Sequence, residues 1–185
     1  RPQTGTTLSG KRFLVTRPEG QAAALIEGIR ELGGDVTHIP FLAIEPVPDQ
    51  TDLLRIAGRL IEYRACLFVS ANAARIAWPL LSRNAWPQNV VGATVGPGTA
   101  QVLKTLGISQ VVMPASHFDS EGLLSEPFFE ADHCRGQRFA LIRGEGGRDV
   151  LAQTLRTYGA RVDEAAVYRR ALHPGALACL RAWLD

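Results

Sequence analysis

The chain has 185 residues, 46% of them hydrophobic and 21% charged, which is the composition of an ordinary folded protein with one domain or two small ones. Its net charge of +2 is too small and too scattered for a nucleic-acid-binding protein. No apolar run reaches the length of a membrane span, and residues 1–10 lack the pattern of a signal peptide. The three cysteines lack CxxC spacing, so we expect reduced thiols in a cytoplasmic protein.

The first predicted elements are a strand at residues 11–16, a helix, and a second strand at residues 35–39. We expect the helix to begin at Pro18, whose fixed φ suits a first helical turn, and to end at Gly33. Three prolines between residues 40 and 48 then predict an extended crossing between domains.

The middle of the chain repeats one kind of junction, in which a buried strand is followed by small residues and a helix. We predict a helix at residues 51–63, a strand at residues 65–69 before Ser70, and a strand at residues 90–95 before Thr99. A helix N-terminus presents free N–H groups and the positive end of the helix dipole, so each junction suits an anion. On this pattern alone, a simple helix cap is the better interpretation of Ser70.

The clearest stretch is residues 136–168, where an apolar strand, a Gly-rich turn, a helix and another strand follow one another. The turn carries Arg143 and Arg148, whose guanidinium groups match carboxylate or phosphate. Residues 10–42 align with residues 136–168 without a gap, mostly at turn and core positions. We therefore predict one supersecondary unit used twice, the alternative being the general likeness of any strand–turn–helix unit.

The C-terminal segment predicts a split domain. It ends in an amphipathic helix with Leu177, Leu180 and Leu184 on one stripe and no strand after it. Because strands and helices alternate in α/β proteins, we predict a first domain that is divided between the two ends of the chain and is incomplete. The predicted boundaries are residues 1–40 with 170–185 for the first domain, 47–164 for the second, and 41–46 with 165–169 for two linker strands. One compact domain is the alternative.

The sequence contains no motif for a cofactor or a metal. Neither Gly-rich turn fits G-x-G-x-x-G, because Asp149 and Gln101 stand where the third glycine is required. P-loop, HExxH, paired CxxC and G-x-S-x-G patterns are absent as well. We therefore expect neither a cofactor nor a metal, and several helix ends that receive anions.

Six stretches of the chain occur in the order found in uroporphyrinogen-III synthases: LVTRPEGQ at 14–21, LFVSANAA at 67–74, VGPGTA at 95–100, DSEGLL at 119–124, LIRGEGGRDVL at 141–151 and GARVDEAAVYRR at 159–170. The chain resembles this family over most of residues 11–170. The resemblance implies an α/β fold of two similar doubly wound, parallel-sheet, flavodoxin-like domains joined by a two-stranded linker. It also implies a cofactor-independent lyase of haem, sirohaem and cobalamin biosynthesis. The reaction closes the linear hydroxymethylbilane to uroporphyrinogen III, with loss of water and inversion of ring D.

The resemblance assigns Tyr168, in the VYRR stretch, as the catalytic residue, a neutral phenol that donates a hydrogen bond to the leaving hydroxyl. A tyrosine that only packs between domains is the alternative. The residues implied to bind the acetate and propionate groups of the substrate are Arg17, Ser70, Asn72, Thr99, Ser120, Glu121, Gly122, Arg143, Gly146 and Arg148. For each arginine an ion pair with a surface acid is an open alternative, and Glu121 is otherwise a first-turn helix acid.

The resemblance also implies a monomer that receives its substrate by hand-over from hydroxymethylbilane synthase and binds neither nucleic acid nor membrane. Family members usually continue past this sequence with another strand and helix. The second hypothesis is therefore a non-catalytic, synthase-like module that binds a tetrapyrrole or another anion and serves regulation.

Overall fold

A computed structural model describes residues 7–147 and 149–185 of the chain. Arg148, one of the predicted binding residues, lies outside the described residues. The chain divides into two compact units: the first comprises the described residues up to Glu45 together with Arg170–Asp185, and the second is Pro46–Arg169. Among the described helices, none is long and apolar enough to cross a membrane.

Eight strands and eight α-helices are assigned within the described residues. In chain order they are β1 (Arg12–Val15), α1 (Ala23–Glu31), β2 (Asp35–His38), β3 (Leu42–Pro46), α2 (Thr51–Gly58), β4 (Ala65–Phe68), α3 (Ala71–Leu81), β5 (Val91–Ala93), α4 (Pro97–Thr105), β6 (Val111–Val112), α5 (Ser120–Leu124), α6 (Ala131–Cys134), β7 (Arg138–Gly144), α7 (Val150–Thr157), β8 (Arg161–Leu172) and α8 (Ala176–Leu184). Short 3-10 helices cover Leu60–Glu62 and Pro127–Phe129.

The sheet that contains most of the strands is largely parallel. Its strand order is β3-β8-β7-β4-β5-β6, and the pairs from β8 through β6 are all parallel. Every residue of the central strand β4 is buried. Phe129, Phe139 and Leu155 belong to the same buried cluster, and full burial of a side chain of this size contributes roughly 1.5–3 kcal/mol. The predicted α/β class with a mostly parallel sheet is confirmed.

The first unit contains a two-stranded parallel sheet, β1 and β2, with a small core of Val15, Ala22 and Val36. The prediction that its helix begins at Pro18 is wrong. Gly20 has a φ of 73°, which a helix cannot contain, and α1 begins only at Ala23.

The repeat is present in the structure residue by residue. Parallel pairing joins Arg12 to Asp35 in the first copy and Arg138 to Arg161 in the second, which are equivalent positions in the alignment. Three pairs of equivalent glycines have positive φ: Gly10 with Gly136 at 76° and 73°, Gly20 with Gly146 at 73° and 65°, and Gly33 with Gly159 at 84° and 82°. The two copies therefore share their turns as well as their strands and helices.

The chain passes from the first unit to the second within β3 and returns within β8. These strands are neighbours in the sheet order. The amide of Val47 donates a hydrogen bond to the carbonyl of Val167 over 3.1 Å. The amide of His173 donates a hydrogen bond to the carbonyl of Phe41 over 2.9 Å. β8 is one continuous strand of 12 residues, so the segment predicted as a separate linker strand at residues 165–169 is its central part.

Candidate functional site

Three strand–helix junctions lie at the carboxyl end of neighbouring parallel strands in the second unit. β7, β4 and β5 are adjacent in the sheet, and they lead into α7, α3 and α4. In a parallel sheet all carboxyl ends lie at one edge, where α/β proteins bind ligands. This arrangement brings the predicted residues Ser70, Asn72 and Thr99 to the same edge as the turn that follows β7.

Tyr168 and Ser70 are in direct contact at this edge. The hydroxyl oxygens of the two residues lie 3.1 Å apart. Tyr168 is only 4% exposed, and its carbonyl accepts a hydrogen bond from the amide of Glu145 over 2.7 Å. The predicted catalytic residue and one predicted binding residue therefore form a single hydrogen-bonded pair.

Ser70 is also the N-cap of α3. Its backbone is extended, and its Oγ accepts a hydrogen bond from the amide of Ala73 over 3.1 Å. The helix cap, which was the simpler interpretation of the sequence, is thus present, and the contact with Tyr168 adds to it. Asn72 is half-buried in the first turn of the same helix.

Thr99 lies in the first turn of α4, where Gly96 is the N-cap and Pro97 the first helical residue. Since glycine has no side chain, this helix start has no side-chain cap. Nearby Thr94, which the sequence analysis missed, is 1% exposed, and its Oγ1 donates to the carbonyl of Phe68 over 2.8 Å. A single threonine in an otherwise apolar strand was the only feature of the sequence that could have indicated a buried hydrogen bond here. This hydrogen bond connects the end of β5 to the end of β4.

The turn after β7 is less cationic than its sequence indicates. The guanidinium group of Arg143 pairs with the carboxylates of Asp149 and Glu164, the latter at 3.1 Å. Glu164 also pairs with Arg156 at 2.8 Å. The ion pair with a nearby acid, left open by the sequence, is therefore what the structure shows for Arg143.

The same pairing changes the start of α7. Asp149 stands at the N-cap of this helix, but its carboxylate is directed to Arg143 and makes no cap hydrogen bond. The helix begins at Val150, where the helical apolar pattern of the sequence begins. Gly146, an exposed residue of this turn, has a φ of 65°, a conformation that favours glycine.

Glu121 and Gly122 border a groove of about 430 Å³, with Ser120 beside them at the first position of α5. The Oδ1 atom of Asp119 accepts a hydrogen bond from the amide of Gly122 over 2.7 Å and so caps this short helix. Ser70, Thr99 and Tyr168 are not among the residues that line the groove.

The remaining predicted residue, Arg17, is an exposed residue of the first unit, and its carbonyl lies 2.8 Å from Nε2 of His38.

A second polar cluster lies near the start of β7 and β8. The hydroxyl of Tyr63 donates to Asp163 Oδ2 over 2.8 Å, and Arg138 donates to the same oxygen over 2.9 Å. Burial alone would raise the pKa of Asp163, but the two hydrogen bonds outweigh it and hold that pKa below its usual value. Tyr63 is fully buried, and burial together with the bonded carboxylate raises its pKa.

No cluster of potential metal ligands is found within residues 7–147 and 149–185. This part of the chain holds no group of three or more histidine, cysteine, aspartate or glutamate residues arranged for a metal ion. Cys66 and Cys134 are buried and Cys179 is exposed, and all three are free thiols.

These features define an α/β protein whose parallel sheet carries helix N-termini and hydroxyl groups at its carboxyl edge. The chain belongs to the uroporphyrinogen-III synthase family. The family model described as "Uroporphyrinogen-III synthase HemD" matches residues 23–185. Uroporphyrinogen-III synthases are enzymes of porphyrin biosynthesis.

Curated relatives agree with this family. The uroporphyrinogen-III synthase of Escherichia coli K12 is 31% identical over 167 residues, which are 87% of this chain and 66% of that protein. The enzyme of Proteus mirabilis is 30% identical over 160 residues, 85% of this chain and 79% of that protein. The chain thus spans about two thirds of the length of the Escherichia coli relative.

Solved structures show the same fold. A mutant uroporphyrinogen III synthase of Thermus thermophilus matches with a TM-score of 0.63 and 19% identity, over 94% of this chain and 68% of that one. The enzyme of Helicobacter pylori 26695 matches with a TM-score of 0.53 and 16% identity, over 80% of this chain and 61% of that one.

Proposed function

We propose that this chain has uroporphyrinogen-III synthase activity, closing hydroxymethylbilane to uroporphyrinogen III. The observation that carries the proposal is the Tyr168–Ser70 hydroxyl pair at the carboxyl edge of the sheet, in a chain that belongs to the synthase family. The substrate is polyanionic through its acetate and propionate groups. The N-termini of α3 and α4, with Asn72 and Thr99 in their first turns, supply N–H groups and positive dipole ends for those carboxylates.

In this proposal the hydroxyl on ring A leaves as water, with Tyr168 donating a hydrogen bond to the departing oxygen. The resulting azafulvene cation attacks the substituted carbon of ring D and gives a spiro intermediate, which fragments and recloses with ring D inverted. Closure releases one proton from ring D, and the departing hydroxide takes up one proton, so the reaction needs no external acid or oxidant. Most of the acceleration would come from holding ring D near the cation.

Arginine has a smaller part in this proposal than the sequence indicated. Arg143 already contacts two carboxylates, so a substrate carboxylate would have to compete with Asp149 and Glu164 for its donors. Arg17 and Gly146 remain proposed contacts from the resemblance, as do Ser120, Glu121 and Gly122 around their groove. Arg148 is proposed on the same basis.

We further propose that the two compact units are two doubly wound domains, with β3 and β8 as the linker strands. The repeat supports a similar construction of both, because β1 and β2 pair in the same register as β7 and β8. A cytoplasmic monomer that receives the bilane from hydroxymethylbilane synthase is the proposed setting.

The test is a coupled assay with the protein in its full gene-encoded length. Hydroxymethylbilane is generated by its own synthase with and without the protein, and the oxidised products are separated into the I and III isomers. The free bilane closes to the I isomer, so formation of the III isomer would support the proposal. Formation of the I isomer alone would contradict it and would favour the non-catalytic binding module.

A further inference from the structure

The ring of Tyr168 occupies the space that a side chain would take at Gly144. A Cβ atom placed on Gly144 would lie 2.5 Å from Cζ of Tyr168, 2.6 Å from Cε2 and 3.0 Å from Cε1. All three distances are shorter than a carbon–carbon contact. The observed position of the ring therefore requires glycine at residue 144.

An irregularity in strand pairing brings the ring to this place. β7 and β8 pair residue by residue up to Arg143 with Ala166, and the next pair is Gly144 with Tyr168, so Val167 is passed over. Because side chains alternate between the two faces of a strand, this shift of one residue gives Tyr168 the face that Val167 would otherwise have. The hydrogen bond from the amide of Glu145 to the carbonyl of Tyr168 fixes the shifted backbone.

The bond between Ser70 and Tyr168 limits where the phenol proton is directed. Ser70 Oγ already accepts from the amide of Ala73, and a hydroxyl keeps one proton to donate. When Ser70 donates this proton to Tyr168, the phenol proton is directed away from Ser70 and toward a ligand oxygen. The donors Ala73, Ser70 and Tyr168 then follow one another in one direction, which strengthens each hydrogen bond in the chain.

We propose that Gly144 and Ser70 are positioning residues for Tyr168. Gly144 leaves the space in which the phenol ring lies, and Ser70 directs the phenol proton toward the oxygen that leaves the substrate. This inference rests on the proposed function, since it assigns how the acid of that reaction is held. Under this inference Ser70 acts through its hydrogen bond to Tyr168 and does not bind a carboxylate of the substrate.

Fluorine NMR tests the placement of the ring without an activity measurement. The chain has three tyrosines, so labelling with 3-fluorotyrosine gives three resonances, each assigned by its Tyr→Phe variant. Gly144→Ala should shift the resonance of Tyr168 and leave those of Tyr63 and Tyr158 in place. The matched control is Gly58→Ala, at the end of α2, where an added Cβ has no neighbour within 4 Å. An unmoved Tyr168 resonance in Gly144→Ala would overturn the placement.

Steady-state kinetics with hydroxymethylbilane test the role of the two residues. Gly144→Ala and Ser70→Ala should each lower kcat by about tenfold or more with little change in KM, as expected for an interaction made in the transition state. In a Tyr168→Phe background neither substitution should lower kcat further, because both act through that phenol. Ser70→Thr keeps the hydroxyl and should restore most of the activity lost in Ser70→Ala.

The inference would be overturned if the losses of kcat, expressed as activation free energies, add in the double variants, or if Ser70→Ala raises KM. Either result would assign Ser70 to direct substrate binding. The proposed function fails separately, through absence of the III isomer with the unaltered protein. In that event the fluorine spectra still decide whether the space at Gly144 holds the ring of Tyr168. A Gly144→Ala variant that does not fold would leave Ser70→Ala to decide the kinetic test.

Discussion

The hydroxyl of Tyr168 lies 3.1 Å from the hydroxyl of Ser70, although 98 positions separate the two residues in the sequence. One residue belongs to β8 and the other caps α3. The bond therefore connects the strand through which the chain leaves the second unit with a helix N-terminus at the carboxyl edge of the sheet. It brings a proton donor to a place where anion binding is expected from the fold.

Acid sensitivity is expected from the cluster of Tyr63, Asp163 and Arg138. The pKa of Asp163 is lowered in the folded state, so its stabilising effect is present above the unfolded pKa of about 3.9 and is lost as the pH falls through the folded value. Asp163→Asn should lower the free energy of unfolding by about 1–3 kcal/mol at pH 7, because Arg138 loses its bonded charge. Urea unfolding between about pH 7 and pH 3 measures the difference, which should shrink as the pH falls.

The control for this experiment is Asp132→Asn, whose exposed carboxylate lies 3.7 Å from Arg135. An exposed pair of this kind contributes at most about 1 kcal/mol. A difference between wild type and Asp163→Asn that stays constant over the whole pH range would contradict the assigned hydrogen bonds.

Because the two copies of the repeat share equivalent turns, the same substitution in each turn should lower the free energy of unfolding by a similar amount. Gly33 and Gly159 have nearly the same left-handed conformation, with φ of 84° and 82°. Alanine at either position should lower the free energy of unfolding by roughly 1–2 kcal/mol, because a Cβ atom is strained there. Denaturant unfolding of both variants, with Gly58→Ala as the unstrained control, checks this. Similar losses would agree with equivalent turns, and a loss at one position only would count against them.

Gly122 should tolerate no side chain. A Cβ atom added there would run into the carbonyl oxygen of His117 and would lie 3.1 Å from that of Ser116, both backbone atoms. Gly122→Ala should therefore lower the free energy of unfolding by about 2 kcal/mol or more, as other strained substitutions do. Thermal unfolding followed by circular dichroism measures the loss. Gly28→Ala, with no neighbour within 4 Å inside α1, should be neutral or slightly stabilising.

Much of the fold follows from local sequence patterns. The apolar run Phe139–Ile142 predicts a buried strand, and Gly159 ends the helix that follows, because turns and periodicity depend on near neighbours. The start of α1 was placed wrongly because Pro18 is a good first helical residue, whereas Gly20 two positions later interrupts the helix. The short helix α6 was missed, since four residues carry too little periodicity to be recognised.

The candidate site was only partly predictable for a different reason. Junctions such as Ser70 and Thr99 are visible in the sequence because each is a strand end followed by a helix. The pairing of Arg143 with Glu164 depends on the register of β7 against β8, which composition does not contain. The place of the Tyr168 ring over Gly144 depends on a shift in that register, so no local pattern predicts it.

The most direct test of the account is the isomer fraction produced by Tyr168→Phe. Phenylalanine keeps the ring over Gly144 and removes only the hydroxyl, so the fold should persist while kcat falls by about a hundredfold, the low end for loss of an acid catalyst. With hydroxymethylbilane supplied by its synthase, the product should then shift from the III isomer toward the I isomer, which forms without catalysis. Tyr158→Phe, a change at the end of α7, should give the III isomer as before. An unchanged III fraction and an unchanged kcat in Tyr168→Phe would contradict the assignment of Tyr168 as the proton donor.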